Sequence, residues 1–145
     1  VQEAGFALVF FFGGIEAGSR ACYILGIKPI RHIAVGADAN AVRAVAEVYP
    51  DVIHFRDVTE FSRSCLHKAP AGTNILFVLL LAGFPCQGLS GANPTKKGWC
   101  DPRCQLFFEG LRVVKDLKNR KGEGRRLTIT TKTCLKHLRH LFETL

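Results

Sequence analysis

The chain has 145 residues, of which 48% are hydrophobic and 22% are charged, values typical of a globular domain and not of a disordered segment. A chain of this length buries roughly 70% of its unfolded surface, so we expect one domain that folds without disulfide staples. Its longest apolar runs, residues 6–12 and 75–82, have seven and eight residues, whereas a membrane-spanning helix needs about 20. We therefore do not expect this chain to be an integral membrane protein, and no targeting segment is evident.

Charge and cysteine usage bear on the partner and the compartment. The formal net charge is +8, and residues 115–140 carry nine Lys or Arg against two acidic residues. Such a segment either attracts polyphosphates or anionic lipid or forms a solvated tail. The six cysteines are irregularly spaced and lack a C-x-x-C pair, which disfavours a disulfide framework and a zinc site built from Cys65, His67, Cys100 and Cys104. We expect an intracellular protein, nuclear in a eukaryote and cytoplasmic in a bacterium.

Strands and helices are predicted to alternate along the chain. The first apolar run stops at Gly13-Gly14, which is typical of a strand buried on both faces. The predicted strands are residues 7–12, 30–35, 52–55 and 75–82. Helices are predicted at residues 16–25, 61–66, 106–117 and 134–145. A further helix is predicted to begin at its cap, Asn40, and to end before Pro50. The alternation predicts a doubly wound α/β domain whose parallel sheet has an unpaired edge at its fourth strand.

Glycines and carboxylates follow the first three predicted strands. A glycine turn at residues 13–18 follows the first, Asp38 the second and Asp57 the third. Ligands of such sheets bind at the carboxyl ends of the strands, where glycines admit a close backbone approach and an acidic residue accepts bonds from a ribose. The turn is not the dinucleotide pattern G-x-G-x-x-G. Taken singly, each feature is also compatible with an ordinary turn or a helix cap.

The fourth predicted strand ends in Gly83-Phe84-Pro85-Cys86-Gln87. A cysteine directly after a buried strand, between a rigid proline and the glycine-rich loop at residues 88–98, suits an exposed nucleophile beside a mobile lid. The alternative is a buried cysteine that acts as a small hydrophobic residue.

These motifs have the order and spacing of those in cytosine-5 DNA methyltransferases, which the chain resembles over about residues 8–118. The Phe-Pro-Cys-Gln strand end followed by a Leu-Phe-Phe-Glu helix is the most specific part of the match. The resemblance rests on Phe12-x-Gly14-Ile15, the region of Asp38, Asp57-Val58, Phe84-Pro85-Cys86-Gln87, Asp101-Pro102-Arg103 and Leu106-Phe107-Phe108-Glu109.

The resemblance implies a fold, a cofactor and a nucleophile. The fold would be an α/β, Rossmann-like S-adenosylmethionine-dependent methyltransferase fold, incomplete, with a mostly parallel sheet. Cys86 would attack C6 of a cytosine flipped out of duplex DNA, and the cofactor would donate a methyl group to C5. A tRNA cytosine is the alternative substrate, and no membrane partner is expected. The cofactor would be held by Phe12, Gly14, Ile15, Asp38, Asp57, Val58, Pro85 and Leu106.

The chain departs from the family at two places that matter for activity. Gly36 stands where the family has the ribose-binding Glu, with Asp38 two residues on, and no Glu-Asn-Val follows Leu117. We expect a methyltransferase core at residues 1–118, a basic divergent segment at residues 119–145, and a chain that is inactive by itself. The sequence lacks Met and begins at Val1, so we expect a fragment, a processed chain or an incomplete gene model. The alternatives are an inactive cofactor-binding or protein-interaction module and a basic fragment that binds nucleic acid without catalysis.

Overall fold

The structure is a computed structural model that describes residues 3–62, 64–67, 73–85, 87–95, 97–118 and 126–132. Within these ranges strands and helices alternate, as predicted. The strands are β1 (Glu3–Phe11), β2 (Arg31–Val35), β3 (Ile53–Phe55), β4 (Thr73–Gly83) and β5 (Arg126–Lys132). The helices are α1 (Ala17–Ile24), α2 (Ala39–Val48), α3 (Ser64–His67) and α4 (Pro102–Lys118). In the described part of the chain, none of the helices is long and apolar enough to cross a bilayer.

The strands form one sheet in the order β3-β2-β1-β4-β5, and each neighbouring pair runs parallel. Strand order reverses between β1 and β4, which makes the carboxyl ends of these two strands the switch point where such sheets bind ligands. The predicted α/β class is confirmed.

Helices cover both faces of the sheet. On one face, His32 of β2 contacts Ser19 of α1 and packs edge-on against Tyr49 at the end of α2. On the other face, Ile33 and Val35 of β2 join Val113 of α4 in the main hydrophobic cluster. Strands covered on both faces need apolar side chains at successive positions, which explains the unbroken apolar runs of β1 and β4.

A fifth strand pairs with β4, so the expectation of an unpaired edge at β4 is wrong. The backbone of β5 runs beside residues 77–83 of β4. This strand is difficult to recognise from the sequence because its Arg-Leu-Thr-Ile-Thr-Thr-Lys run is polar at most positions and lies in a strongly basic segment. Such a composition is compatible with an edge strand, which needs far less apolar surface than a central one. The helix predicted at residues 134–145 lies outside the described residues.

The cap of α2 also differs from the prediction. Asp38, and not Asn40, is the N-cap, because its Oδ1 accepts hydrogen bonds from the backbone N–H groups of Asn40 and Ala41 at 2.8 and 3.1 Å. A capping side chain must reach the N–H groups two and three positions further on. Asn40 lies inside the helix, where its Oδ1 accepts a hydrogen bond from Arg43 Nη2.

The remaining boundaries shift by a few residues. Phe61, predicted to begin a helix, is fully buried in the core between a 3-10 turn at Val58–Glu60 and α3. Helix α4 begins four residues earlier than predicted, with Pro102 in its first turn. Proline fits the first helical position, where no N–H is needed, and Asp101 Oδ1 accepts a hydrogen bond from the Arg103 N–H.

Candidate functional site

A cleft of about 420 Å³ opens at the carboxyl edge of the sheet. It is formed by the ends of the first four strands, the first turn of α2 and the start of α4. Its lining residues are Phe12, Gly13, Gly14, Glu16, Ala34, Val35, Gly36, Ala37, Asp38, Ala41, Val42, His54, Pro85, Gln87 and Leu106.

The turn after β1 has an unusual backbone. Phe12, Gly14 and Glu16 all have φ values near 56°, in the left-handed region. A non-glycine residue there costs roughly 1 to 3 kcal/mol, and such strain concentrates at ligand-binding sites. Gly13 is needed for a different reason, since a Cβ at this position would overlap the Phe10 ring.

Phe12, which lines the cleft, is held by an aromatic cluster of the core. The half-buried Phe12 lies with its ring centroid 5.6 Å from that of Phe84, and its backbone N–H donates to the Val35 carbonyl at 2.9 Å. Phe84 in turn packs edge-on against Phe107 of α4 at 5.4 Å. These contacts fix Phe12 between β2 and β4, at the switch point.

Glu16, which lines the cleft, belongs to a group of buried polar side chains. Glu16, Ser19 and His32 are each at most 5% exposed. Glu16 Oε2 accepts a hydrogen bond from Ser19 Oγ at 2.8 Å and lies 2.7 Å from His32 Nε2. Because a carboxylate cannot donate, Nε2 carries the proton of this bond.

His54 is the polar side chain that β3 contributes to the cleft. Both of its ring nitrogens are shielded from solvent and lack a hydrogen-bond partner within the described residues. Burial lowers the pKa of His54, while the nearby Glu16 carboxylate opposes that change. The imidazole is therefore neutral at pH 7 and keeps one donor and one acceptor for a ligand.

The structure brings together five of the eight cofactor residues implied by the sequence. Phe12, Gly14, Asp38, Pro85 and Leu106 line the same cleft.

The other three implied cofactor residues do not line this cleft. Ile15 is 73% exposed, and Val58 is buried in the core. Asp57 caps the following 3-10 turn. Its Oδ1 accepts a hydrogen bond from the Thr59 N–H at 2.8 Å, and this bond lowers the pKa of the Asp57 carboxyl.

Cys86, the implied nucleophile, lies outside the described residues. Its neighbours in the sequence, Pro85 and Gln87, both line the cleft.

The loop after β4 is anchored at its base. The Gly98 N–H donates to the Gly88 carbonyl at 2.8 Å, and Asn93 Nδ2 donates to the Gln87 carbonyl at 2.8 Å. Arg103 donates to both carboxylate oxygens of Asp101, at 2.9 and 2.7 Å, and these bonds lower the pKa of Asp101 to about 2. The start of α4 thus provides a fixed support for the loop.

Sequence reasoning did not identify Glu16, His32 and His54 as a group. The available signal was a histidine in each of two short strands that are otherwise mostly apolar, β2 and β3. Among the residues that the structure describes, no three His, Cys, Asp or Glu side chains are placed to hold a metal ion.

The parallel sheet, with its cleft at the switch point and its glycine turn after β1, defines a Rossmann-like α/β fold. The model of the C-5 cytosine-specific DNA methylase family matches residues 11–120. The chain belongs to this family.

Individual relatives agree with the family assignment. The chain is 36% identical over 78 residues to the type II methyltransferases M.NlaIV of Neisseria lactamica and M.NgoBV of Neisseria gonorrhoeae, a match that covers 54% of this chain and 16% of each relative. A crystal structure described as a DNA modification methyltransferase encoded within an E. coli prophage superposes with a TM-score of 0.59 at 19% identity, covering 97% of this chain and 36% of that one. The chain thus spans well under half the length of these proteins.

Proposed function

We propose that the chain forms the cofactor-binding and nucleophile-bearing part of a DNA (cytosine-5) methyltransferase that uses S-adenosylmethionine. The observation that carries the proposal is that Pro85 and Gln87, on either side of Cys86 in the sequence, line the same cleft as the glycine turn after β1. A nucleophile beside the cofactor cleft is what transfer of a methyl group to a bound base requires.

The cleft has the chemistry that this cofactor needs. Phe12, Pro85 and Leu106 offer apolar surface to an adenine ring, and Glu16, Asp38 and His54 offer polar groups to the rest of the molecule. Among the described residues, the lining includes two carboxylates and no Lys or Arg, which favours a cationic sulfonium. The His54 ring nitrogens, which have no hydrogen-bond partner in the described part of the chain, also leave hydrogen bonds for a ligand. The bound cofactor would supply an electrophilic methyl group.

Cys86 would act on the base. Its thiol loses a proton, and the thiolate sulfur bonds to C6 of cytosine, so that electron density moves to C5. Transfer of the methyl group to C5 would break the S–CH3 bond and leave the cofactor as a neutral thioether. C5 then loses its proton to water as the C6–S bond breaks, which regenerates the thiolate. A base inside a duplex must first be flipped out, at a cost of a few kcal/mol. The loop after β4, whose base is held by the hydrogen bond between Gly98 and Gly88, is suited to closing over such a base.

A cofactor-binding module without turnover is the second candidate, favoured by the sequence of β5. This strand follows α4, where the family resemblance expects the Glu of Glu-Asn-Val to assist attack on the base. Residues 126–132 contain no acidic residue. DNA is favoured over tRNA as the substrate because the matching family model is that of a DNA methylase and the solved structure is described as a DNA modification methyltransferase.

Calorimetric titration with S-adenosylmethionine tests the cofactor assignment. Phe12→Ala removes cleft surface, and we expect it to weaken binding by roughly 10-fold, since burying a large apolar side chain contributes about 1.5 to 3 kcal/mol. Asp57→Ala is the matched comparison, because Asp57 is implied by the resemblance but does not line the cleft. Loss of binding in Asp57→Ala with none in Phe12→Ala would contradict the cleft as the cofactor site.

A further inference from the structure

The end of β2 carries no acidic side chain. In nucleotide-binding sheets of this type, an acidic residue at that place commonly binds the hydroxyls of a ribose. Here the position directly after the strand is Gly36, whose backbone N–H donates to the Phe55 carbonyl of β3 at 3.0 Å. A Cβ built on Gly36 would meet nothing within 4 Å, so the space beside it is open to the cleft. A ribose in this cleft needs another partner.

Asp38, the nearest carboxylate along the chain, already has a structural task. Its Oδ1 accepts two backbone hydrogen bonds at the start of α2, and such a cap contributes about 1 kcal/mol to stability. The same carboxylate is exposed to solvent. Both properties make Asp38 a weaker candidate for a ligand contact than a buried carboxylate whose position is held by its neighbours.

Glu16 is such a carboxylate. It occupies the N-cap position of α1 with φ of 56°, and its backbone carbonyl accepts a hydrogen bond from the Arg20 N–H at 3.1 Å. Among the described residues its side chain makes no capping bond, so the carboxylate is not used by the helix. Ser19 and His32 hold its side chain instead, and both bonds go to Oε2. Within the described part of the chain this leaves Oε1 as the acceptor that Glu16, a cleft-lining residue, offers to a ligand. Ser19 and His32 are positioning residues.

His54 lies close to this carboxylate. Its strand pairs in register with β2, with His54 beside Ala34, and Glu16 is near enough to influence its charge. Burying two ring nitrogens that have no hydrogen-bond partner among the described residues costs free energy, unless a ligand or water forms the missing bonds. One nitrogen donates and the other accepts, and a vicinal diol offers matching acceptor and donor groups.

We propose that Glu16 and His54 together bind the ribose diol of the cofactor, in place of the acidic side chain that Gly36 lacks. The proposal rests on the proposed function, because it names the part of S-adenosylmethionine that these residues contact. Carboxylate Oε1 accepts a hydrogen bond from one hydroxyl, and the imidazole binds the other.

Calorimetry with S-adenosylhomocysteine and its 2′,3′-dideoxy analogue tests this subsite in the full chain. We expect wild type to bind the parent compound roughly 10- to 100-fold more tightly than the analogue, the range for hydrogen bonds to a charged group. Glu16→Gln and His54→Phe should each reduce this ratio to about 3-fold or less, mainly by weakening the parent compound. Glu47→Gln, which changes an exposed carboxylate of α2 that does not line the cleft, should leave the ratio as in wild type. Asp38→Asn, which keeps a capping oxygen, tests the competing carboxylate.

Restoring the absent carboxylate provides a gain-of-function arm. Since a side chain at Gly36 has room, Gly36→Glu in the Glu16→Gln background should raise the affinity ratio of parent compound to analogue back above 10-fold. We expect this recovery even if Glu16→Gln by itself lowers the melting temperature. A ratio that stays at the wild-type value in Glu16→Gln and His54→Phe, or that collapses in Asp38→Asn instead, overturns the subsite and leaves the proposed function intact. Failure of wild type to bind either compound overturns the proposed function and the subsite with it.

Discussion

Glu16 Oε2 and His32 Nε2 lie 2.7 Å apart, and both side chains are at least 95% buried. The bond joins the turn after β1 to β2, so it fixes the glycine turn relative to the sheet. Removing His32 takes one of two partners from the buried Glu16 carboxylate, which keeps its hydrogen bond from Ser19, and weakening the pairing of a buried charge is destabilising.

We expect His32→Ala to lower the free energy of unfolding by about 3 kcal/mol, from the weakened pairing of the carboxylate and the cavity together. His54→Ala is the matched control, because His54 has no hydrogen-bond partner to lose within the described residues, and it should cost about 1 kcal/mol. Urea denaturation of the two variants checks the difference. Equal losses would mean that the Glu16–His32 bond has no special part in stability.

Gly88 supports the loop by close packing. A Cβ at this position would overlap the Asp101 side chain and lie 2.7 Å from Cys104 Sγ, whereas a Cβ at Gly91 in the same loop would meet nothing within 4 Å. We expect Gly88→Ala to destabilise the fold by about 1 to 3 kcal/mol. Gly91→Ala should change stability by less than about 0.5 kcal/mol. Thermal unfolding of both variants distinguishes tight packing at the loop base from a general effect of alanine in the loop.

The Asp101–Arg103 pair predicts a pH dependence. The pKa of Asp101 is lowered from 3.8 to about 2 by its hydrogen bonds with Arg103, so the folded state binds the proton more weakly than the unfolded state. The stabilisation is therefore complete above about pH 4 and is lost as the pH falls towards 2. We expect the difference in unfolding free energy between wild type and Asp101→Asn to be constant from pH 7 to pH 5 and to shrink between pH 4 and pH 2. A difference that is the same at pH 5 and pH 2 would contradict this assignment.

The 145-residue chain by itself should show no appreciable methyl transfer. Residues 126–132 form β5 without an acidic side chain, and a positioned acid or base typically contributes about 10² to 10⁴ in rate. The measurement is transfer of a labelled methyl group to cytosine-rich DNA and to tRNA. Clear turnover that disappears in Cys86→Ser would show that the chain is complete enough for catalysis, while supporting Cys86 as the nucleophile.

The parts of the fold predicted from sequence are those with strong local signals. Strands β1 and β4 were found because central strands need apolar residues on both faces, and the Gly13-Gly14 turn was found because it interrupts that pattern. Strand β5 was missed because its pairing with β4 depends on contacts distant in sequence and not on its own polarity. The cap of α2 is Asp38 and not the predicted Asn40, because the sequence alone does not show which backbone N–H groups a side chain can reach.

The site was predictable only in part, for a similar reason. Phe12, Gly14, Asp38, Pro85 and Leu106 carry motif information, and the structure gathers them in one cleft. The grouping of Glu16, His32 and His54 comes from three separate segments, so no local pattern reveals it. Their burial depends on the packing of α1 against one face of the sheet and on the pairing of β3 with β2.

The central claim is that the cleft binds S-adenosylmethionine beside Cys86. The most direct measurement is the rate of Cys86 alkylation, followed by mass spectrometry with and without S-adenosylmethionine, and with exposed Cys100 as the internal control. Calorimetry first establishes the concentration at which the cofactor saturates the chain. At that concentration the account predicts that alkylation of Cys86 slows by roughly 10-fold or more and that the alkylation rate of Cys100 is unchanged. Unchanged alkylation of Cys86 under conditions where the cofactor is bound, or no binding at all, would contradict it.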